Sequence, residues 1–232
     1  MRLLLVNANT NAAVTSRLLS LAQGFASAGT DISPKTAQFG AVAVATRAEG
    51  LVADAAAIEA VARHEAPFDG VVVAMSYDTA VEALREMTGK PVVGLTSALL
   101  SASLITGARL GLVCLGHDLI PRYDDMVRRA GVRHRIAGLS AVEGMAVYAG
   151  SPTPGLEAAV SAAALGLVEG AGADAIGLVG AGMAGLAARI GRIRNAPVLD
   201  PLGTAVAQVE MLVRLSGIAP HDRAVSRPEP AA

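Results

Sequence analysis

Six short runs of Val, Leu and Ile stand in this chain without a polar residue at every second position: RLLLVN (2–7), VVVAM (71–75), PVVGL (91–95), LGLVC (110–114), DAIGLV (174–179) and PVL (197–199). A strand with one wet face alternates apolar and polar residues. A continuous run has to be covered on both faces, which favours parallel sheets with helices on either side. Weaker strand candidates lie near 30–36 and 134–138. Between the runs lie Ala-rich segments of helical period, at about 11–28, 51–64, 79–88, 97–106, 119–130, 155–170, 183–191 and 202–216. The alternation predicts an α/β fold of parallel sheets flanked by helices. Asn9 or Thr10 is expected to cap the first helix, and Ser76 the helix after the 71–75 run. Gly107, Gly131 and Gly191 mark expected helix ends.

The order of elements repeats. A strand ends at Ser76, a helix follows, and then comes Lys90-Pro91-Val92-Val93-Gly94; a strand ends near Gly180, a helix follows, and then comes Ala196-Pro197-Val198-Leu199-Asp200. The run at 2–7 has its counterpart at 110–114. This predicts two pseudo-symmetric lobes, each a parallel sheet flanked by helices: 1–97 plus about 202–218, and 98–201, with 219–232 as a flexible tail. If the lobes face one another, the carboxyl ends of their strands converge on an inter-lobe cleft that holds the active site. Its expected walls are the loops Asn7-Ala8-Asn9-Thr10, Ser76-Tyr77-Asp78-Thr79, Cys114-Leu115-Gly116-His117 and Gly180-Ala181-Gly182-Met183, joined by Thr96-Ser97. These loops are small and polar, and offer backbone N–H groups at helix starts, which suits a carboxylate or imide oxygen.

Composition excludes several other classes. Net charge is −1 with no basic stripe, which argues against nucleic acid. The single cysteine, Cys114, rules out an internal disulfide framework and a Cys-rich metal site, and no metal is expected. Neither a Walker loop nor a G-x-G-x-x-G follows the first strand, so no nucleotide cofactor is expected. The apolar run after Arg2 is too short for a signal-peptide core, and no run approaches the roughly 18 residues of a membrane span. The expectation is a cytoplasmic protein with a small-molecule partner, no membrane and no nucleic acid. The apolar, Ala-rich helices point to a homo-oligomer.

The motifs resemble those of the aspartate/glutamate/hydantoin racemase superfamily, and most of all its hydantoin and allantoin racemases. Val6-Asn7-Ala8-Asn9-Thr10 resembles their N-P-N-[TS] opening, and Ala74-Met75-Ser76-Tyr77-Asp78 their C-F-x-D strand end. Pro91-Val92-Val93-Gly94-Leu95 resembles P-V-I-G-I. Ala173-Asp174-Ala175-Ile176 with Ala181-Gly182-Met183 resembles A-D-A-I-V-L-G-C-A-G-M, and Pro197-Val198-Leu199-Asp200 resembles P-V-I-D. The resemblance implies cofactor-independent proton transfer at the carbon next to a carbonyl, by two cysteines acting on opposite faces of the substrate. Here those two positions correspond to Ser76 and Gly180, so the two-thiol mechanism is excluded. The S-I-E-G stretch of that family corresponds to Ala43-Val44-Ala45-Thr46.

Ser76 is thus expected as a weakened acid/base, a hydrogen-bond donor or a cap. Gly180 marks an empty second position. Cys114 and His117 are candidates for a Cys/His pair whose thiolate replaces the missing function, the alternative being an inert buried cysteine. Asn7, Asn9, Thr10, Tyr77, Asp78, Thr79, Thr96, Ser97, Ala181 and Gly182 are the expected substrate-binding residues. The substrate expected is a cyclic imide or an amino-acid-like carboxylate. Two other outcomes stay open: a non-catalytic ligand-binding descendant, and a decarboxylase on the same scaffold.

Overall fold

The computed structural model describes residues 1–106, 108–143 and 155–216. Gly107 and the tail from 219 lie outside the described residues. In chain order the elements are β1 (Arg2–Asn7), α1 (Ala12–Phe25), β2 (Asp31–Thr36), α2 (Arg47–Ala62), β3 (Gly70–Val73), α3 (Val81–Thr88), β4 (Val92–Gly94), α4 (Leu95–Thr106), β5 (Leu110–Leu115), α5 (Ile120–Arg129), β6 (Ile136–Val142), α6 (Leu156–Ala171), β7 (Ala175–Leu178), α7 (Leu186–Ile190), β8 (Arg192–Ile193), β9 (Ala196–Leu199) and α8 (Pro201–Ser216). They form two compact units, one of Met1–Gly94 with the chain from Ala205, the other of Leu95–Thr204.

In the first unit the strands run parallel in the order β2-β1-β3-β4. The apolar runs of β1 and β3 lie side by side, with Leu4 beside Val71 and Val6 beside Val73. Those four side chains point to one face and pack with Ala53, Ala57, Ala60 and Val61 of α2 and Leu84 of α3. The opposite face is covered by α8: a Cβ on Gly70 would lie 2.8 Å from both Val209 and Val213 and 3.4 Å from Leu3. Both faces of the sheet are therefore dry, which is why β1 and β3 carry no alternation.

The second unit holds a sheet ordered β6-β5-β7-β9-β8, parallel except for β8, which runs antiparallel to β9. Val113, Ile176 and Leu178 pack against Val160, Ala164 and Leu167 of α6 and Leu186 of α7. Leaving β8 aside, the order second-first-third-fourth strand recurs in both sheets, so the repeated motif order corresponds to a repeated topology. Both are parallel-dominated sheets flanked by helices, the fold class expected from the sequence. The two-residue β8 was not anticipated, because a run that short has no periodicity to read.

Several boundaries differ from expectation, each for a local reason. Asn11, not Asn9 or Thr10, caps α1: its side chain accepts from the N–H groups of Ala13 at 3.1 Å and Val14 at 3.3 Å. α2 begins at Arg47 rather than 51, fixed by a capping box in which Thr46 accepts from the Glu49 N–H while the Glu49 carboxylate accepts from the Thr46 N–H. Ser76 does not cap α3, which starts at Val81 behind Ala80, a residue in the left-handed region with no side-chain cap bond. The helix expected over 183–191 shrinks to Leu186–Ile190, because Ala181–Met183 forms a 3-10 turn first. Gly131 and Gly191 close α5 and α7 with φ of +70° and +74°. Among the described residues no helix is long and apolar enough to cross a membrane.

Candidate functional site

At the carboxyl end of β1, three asparagines bind to one another. The Asn7 amide is fully buried; its Nδ2 lies 2.9 Å from Asn9 Oδ1, 3.0 Å from Thr15 Oγ1 and 3.2 Å from the Asn11 carbonyl. Asn9 Oδ1 also accepts from the Asn11 N–H at 2.9 Å, and Asn7 Oδ1 from the Asn9 N–H at 3.3 Å. An unpaired buried amide costs about 1–3 kcal/mol, and this network leaves no such group at Asn7. Asn7 is thus an internal brace for the turn. Asn9 differs: the backbone donor at Asn11 fixes which end of its amide is oxygen, and the Nδ2 end makes none of these bonds. Thr10 is held through its backbone, donating to the Ala41 carbonyl at 3.1 Å.

Beyond β3 the chain makes a tight turn through Ser76, Tyr77, Asp78, Thr79 and Ala80. Two of its non-glycine residues take positive φ, Asp78 at +52° and Ala80 at +55°. That region is costly for residues with a Cβ, and Asp tolerates it better than Ala. Asp54, on α2, accepts the Ala80 N–H at 2.7 Å. The Asp78 carboxylate lies over Gly94, the last residue of β4, where a Cβ would come within 2.8 Å of Asp78 Cβ and nearer still to the carboxylate. Ser76, Tyr77 and Asp78 are half-buried and Thr79 is buried. Tyr77 packs on the first unit's core. Thr96, fully buried, and Ser97 occupy the first turn of α4.

In the second unit, Cys114 is the last but one residue of β5, beside Ala141 of β6. Its side chain is buried and its thiol contacts the Gly116 carbonyl at 3.8 Å. Burial pushes the thiol up to about 11, so it is protonated at neutral pH. His117 begins the turn after Gly116 (φ +81°), is mostly exposed, and has Nε2 4.0 Å from Glu143 Oε1. The thiol thus faces a carbonyl just beyond the end of β5, and the imidazole faces a carboxylate at the surface.

Gly180, after β7, has φ +105° and ψ 146°. This is close to a backbone region that is essentially glycine-only, costing other residues about 1–3 kcal/mol. The Ala181–Met183 turn follows, with the Met183 N–H on the Gly180 carbonyl at 3.0 Å. Asp200, at the end of β9, ties this end together. One carboxylate oxygen accepts the Gly185 N–H at 2.6 Å, and the other accepts those of Leu202 at 3.0 Å and Gly203 at 3.1 Å. Among the described residues no group of three or more His, Cys, Asp or Glu side chains could hold a metal ion.

Asp54, Gly94 and Asp200 are site-forming residues that the sequence reading did not list. Asp54 carries no motif of its own. Gly94 closes the P-V-V-G motif and Asp200 the P-V-L-D motif, the only signal the sequence carries for them.

The family described as Asp/Glu/hydantoin racemase matches residues 3–209, a stretch that contains both sheets and every loop above. The chain belongs to the Asp/Glu/hydantoin racemase family. It is 30% identical to a hydantoin racemase from Paenarthrobacter aurescens, over 93% of this chain and 92% of that one. Among solved structures, an allantoin racemase from Pseudomonas fluorescens is 32% identical, with a TM-score of 0.85 and all of both chains covered. The allantoin racemase from Klebsiella pneumoniae is 26% identical with a TM-score of 0.84, covering 97% of this chain and 96% of that one. An arylmalonate decarboxylase shares the fold alone, at 15% identity and a TM-score of 0.59.

Proposed function

We propose that this protein is a racemase-type isomerase of the hydantoin/allantoin group, moving a proton at the carbon next to a carbonyl of a small cyclic imide or amino-acid-like carboxylate, without a cofactor. The observation that carries this reading is similarity over the full length to an allantoin racemase, at 32% identity. In this reading Ser76 takes the place at the β3 end where the family's first thiol stands, and handles the proton through its hydroxyl or a bound water. Asp78, on the same turn, orients the site. The Nδ2 of Asn9, which the two bonds to its Oδ1 leave out of the brace, donates to a substrate oxygen. Cys114 takes no part in this reading, its buried thiol lying against the Gly116 carbonyl.

One observation favours a second reading, a ligand-binding descendant that turns nothing over. Gly180 has no side chain, and its backbone conformation disfavours any residue that would bring one. Incubation in D2O with enantiopure 5-substituted hydantoins, allantoin and amino acids separates the two. Deuterium entering the α position, and lost in Ser76→Ala, supports the isomerase. Thermal stabilisation by those compounds with no exchange supports the binder.

A further inference from the structure

The turn after β3 holds a backbone shape that is costly for its residues. Asp78 and Ala80 both sit at positive φ, and neither is glycine. No side-chain bond caps the helix that follows. Such conformations persist only where the surroundings over-determine them, and they gather where a protein positions a group. Two neighbours from other elements contribute to the constraint. Asp54, in the middle of α2, accepts the Ala80 N–H at 2.7 Å, spanning 26 residues of sequence. Gly94, at the end of β4, leaves open the volume into which the Asp78 carboxylate folds.

We propose that Asp54 and Gly94 are positioning residues for the Ser76–Ala80 turn: Asp54 anchors its far end from α2, and Gly94 seats the Asp78 side chain. Neither touches the reacting atoms. Asp54 acts through the Ala80 amide, which fixes where α3 begins and so how the chain leaves Ser76. Gly94 acts by absence, since any side chain there displaces Asp78 and with it the left-handed backbone at that residue. The anchor needs an acceptor and not a charge, so asparagine, which keeps a carbonyl oxygen, replaces aspartate while alanine does not.

The catalytic part of this inference rests on the isomerase reading; the geometric part does not. The test therefore has two arms, run on the full chain. In the first, hydrogen–deuterium exchange of the Ala80 amide is followed by NMR in wild type, Asp54→Asn, Asp54→Ala and Gly94→Ala. Asp54→Ala is expected to speed exchange at Ala80 at least tenfold, and Asp54→Asn by less than threefold, with amides of β1 unchanged as the control for folding. Gly94→Ala is expected to shift the Asp78 and Ala80 resonances. In the second arm, α-proton exchange of the best substrate is measured. Asp54→Ala and Gly94→Ala are expected to lower kcat about 10- to 100-fold with KM changed less than threefold, and Asp54→Asn to recover at least a third of the wild-type kcat. Unchanged Ala80 exchange in Asp54→Ala, or Asp54→Asn failing as badly as Asp54→Ala, overturns the proposal. A wild type that turns nothing over while the first arm behaves as stated overturns the isomerase reading and leaves the anchoring role standing.

Discussion

Glu210 joins α8 to the first unit, and removing it measures how much the C-terminal helix matters to that unit. The carboxylate is almost wholly buried. It accepts the Ser27 N–H at 2.9 Å, the Ser27 hydroxyl at 2.5 Å and the Thr30 hydroxyl at 2.6 Å, with Arg214 3.7 Å away. Hydrogen bonds to a charged acceptor contribute about 1.5–3 kcal/mol each, and bonds that share one carboxylate do not add fully. Glu210→Ala should therefore cost about 2–4 kcal/mol at pH 7, or about 5–12 °C in Tm for a chain of this size. The effect should depend on pH. Burial alone would raise the Glu210 pKa, but the bonds from Ser27 and Thr30 outweigh it and hold the group below its ordinary value of 4.5. A carboxyl whose pKa is depressed on folding stabilises fully above its unfolded pKa, and loses that contribution as pH falls through the folded value. The gap between wild type and Glu210→Ala should thus be constant from pH 6 to 8 and shrink below about 4.5. Urea denaturation of both proteins at pH 7 and pH 4 reads it directly. A loss under about 0.5 kcal/mol at pH 7, or an equal gap at both pH values, refutes the reasoning.

The remaining predictions concern the second unit. With its thiol moved from 9.0 to about 11, native Cys114 should react with iodoacetamide at pH 8 about 100-fold more slowly than in the unfolded chain, from thiolate fraction alone; equal rates would place the thiol at the surface. Cys114→Ala should leave α-proton exchange within twofold of wild type, as measured by NMR, because its partner is the Gly116 carbonyl and not His117. Gly180→Ala and Gly180→Cys should each cost about 1–3 kcal/mol in urea unfolding, and a neutral result would mean that the +105° backbone there relaxes freely.

The sheets were legible where both faces of a strand are dry. β1 was read to its exact ends, and β5, β7 and β9 to within a residue, because continuous apolar runs have no other stable use in a chain with so few aromatics. The repeat in motif order translated into the repeated strand order for the same reason. Helix starts were harder. The Thr46–Glu49 capping box was visible in the sequence as T-x-x-E, yet the apolar period set the expected start too late. At the first helix the expected caps were Asn9 and Thr10, but the network at Asn7 draws Asn9 inward and Asn11 caps instead.

The candidate site was legible by place and not by bonding. Its loops were found because they follow buried strands. What holds them lies away in sequence: Asp54 is 26 residues from Ala80, and Asp200 is 15 from Gly185. No local pattern encodes such pairs. Positive φ at Asp78 and Ala80 also has no sequence signature, since neither is glycine, and it explains why Ser76 could be mistaken for a cap. Cys114 was singled out by scarcity, by its strand end and by His117 three residues on, none of which encodes its burial.

The central claim is that the chain moves a proton at a carbon beside a carbonyl, and that Ser76 is needed for it. The most direct measurement is deuterium incorporation at C5 of enantiopure allantoin or a 5-substituted hydantoin in D2O, for wild type and Ser76→Ala side by side. The account predicts incorporation by the wild type above the buffer rate, and a drop of at least 100-fold in Ser76→Ala at unchanged thermal stability. Incorporation that survives the substitution, or a wild type no faster than buffer across the series, contradicts it.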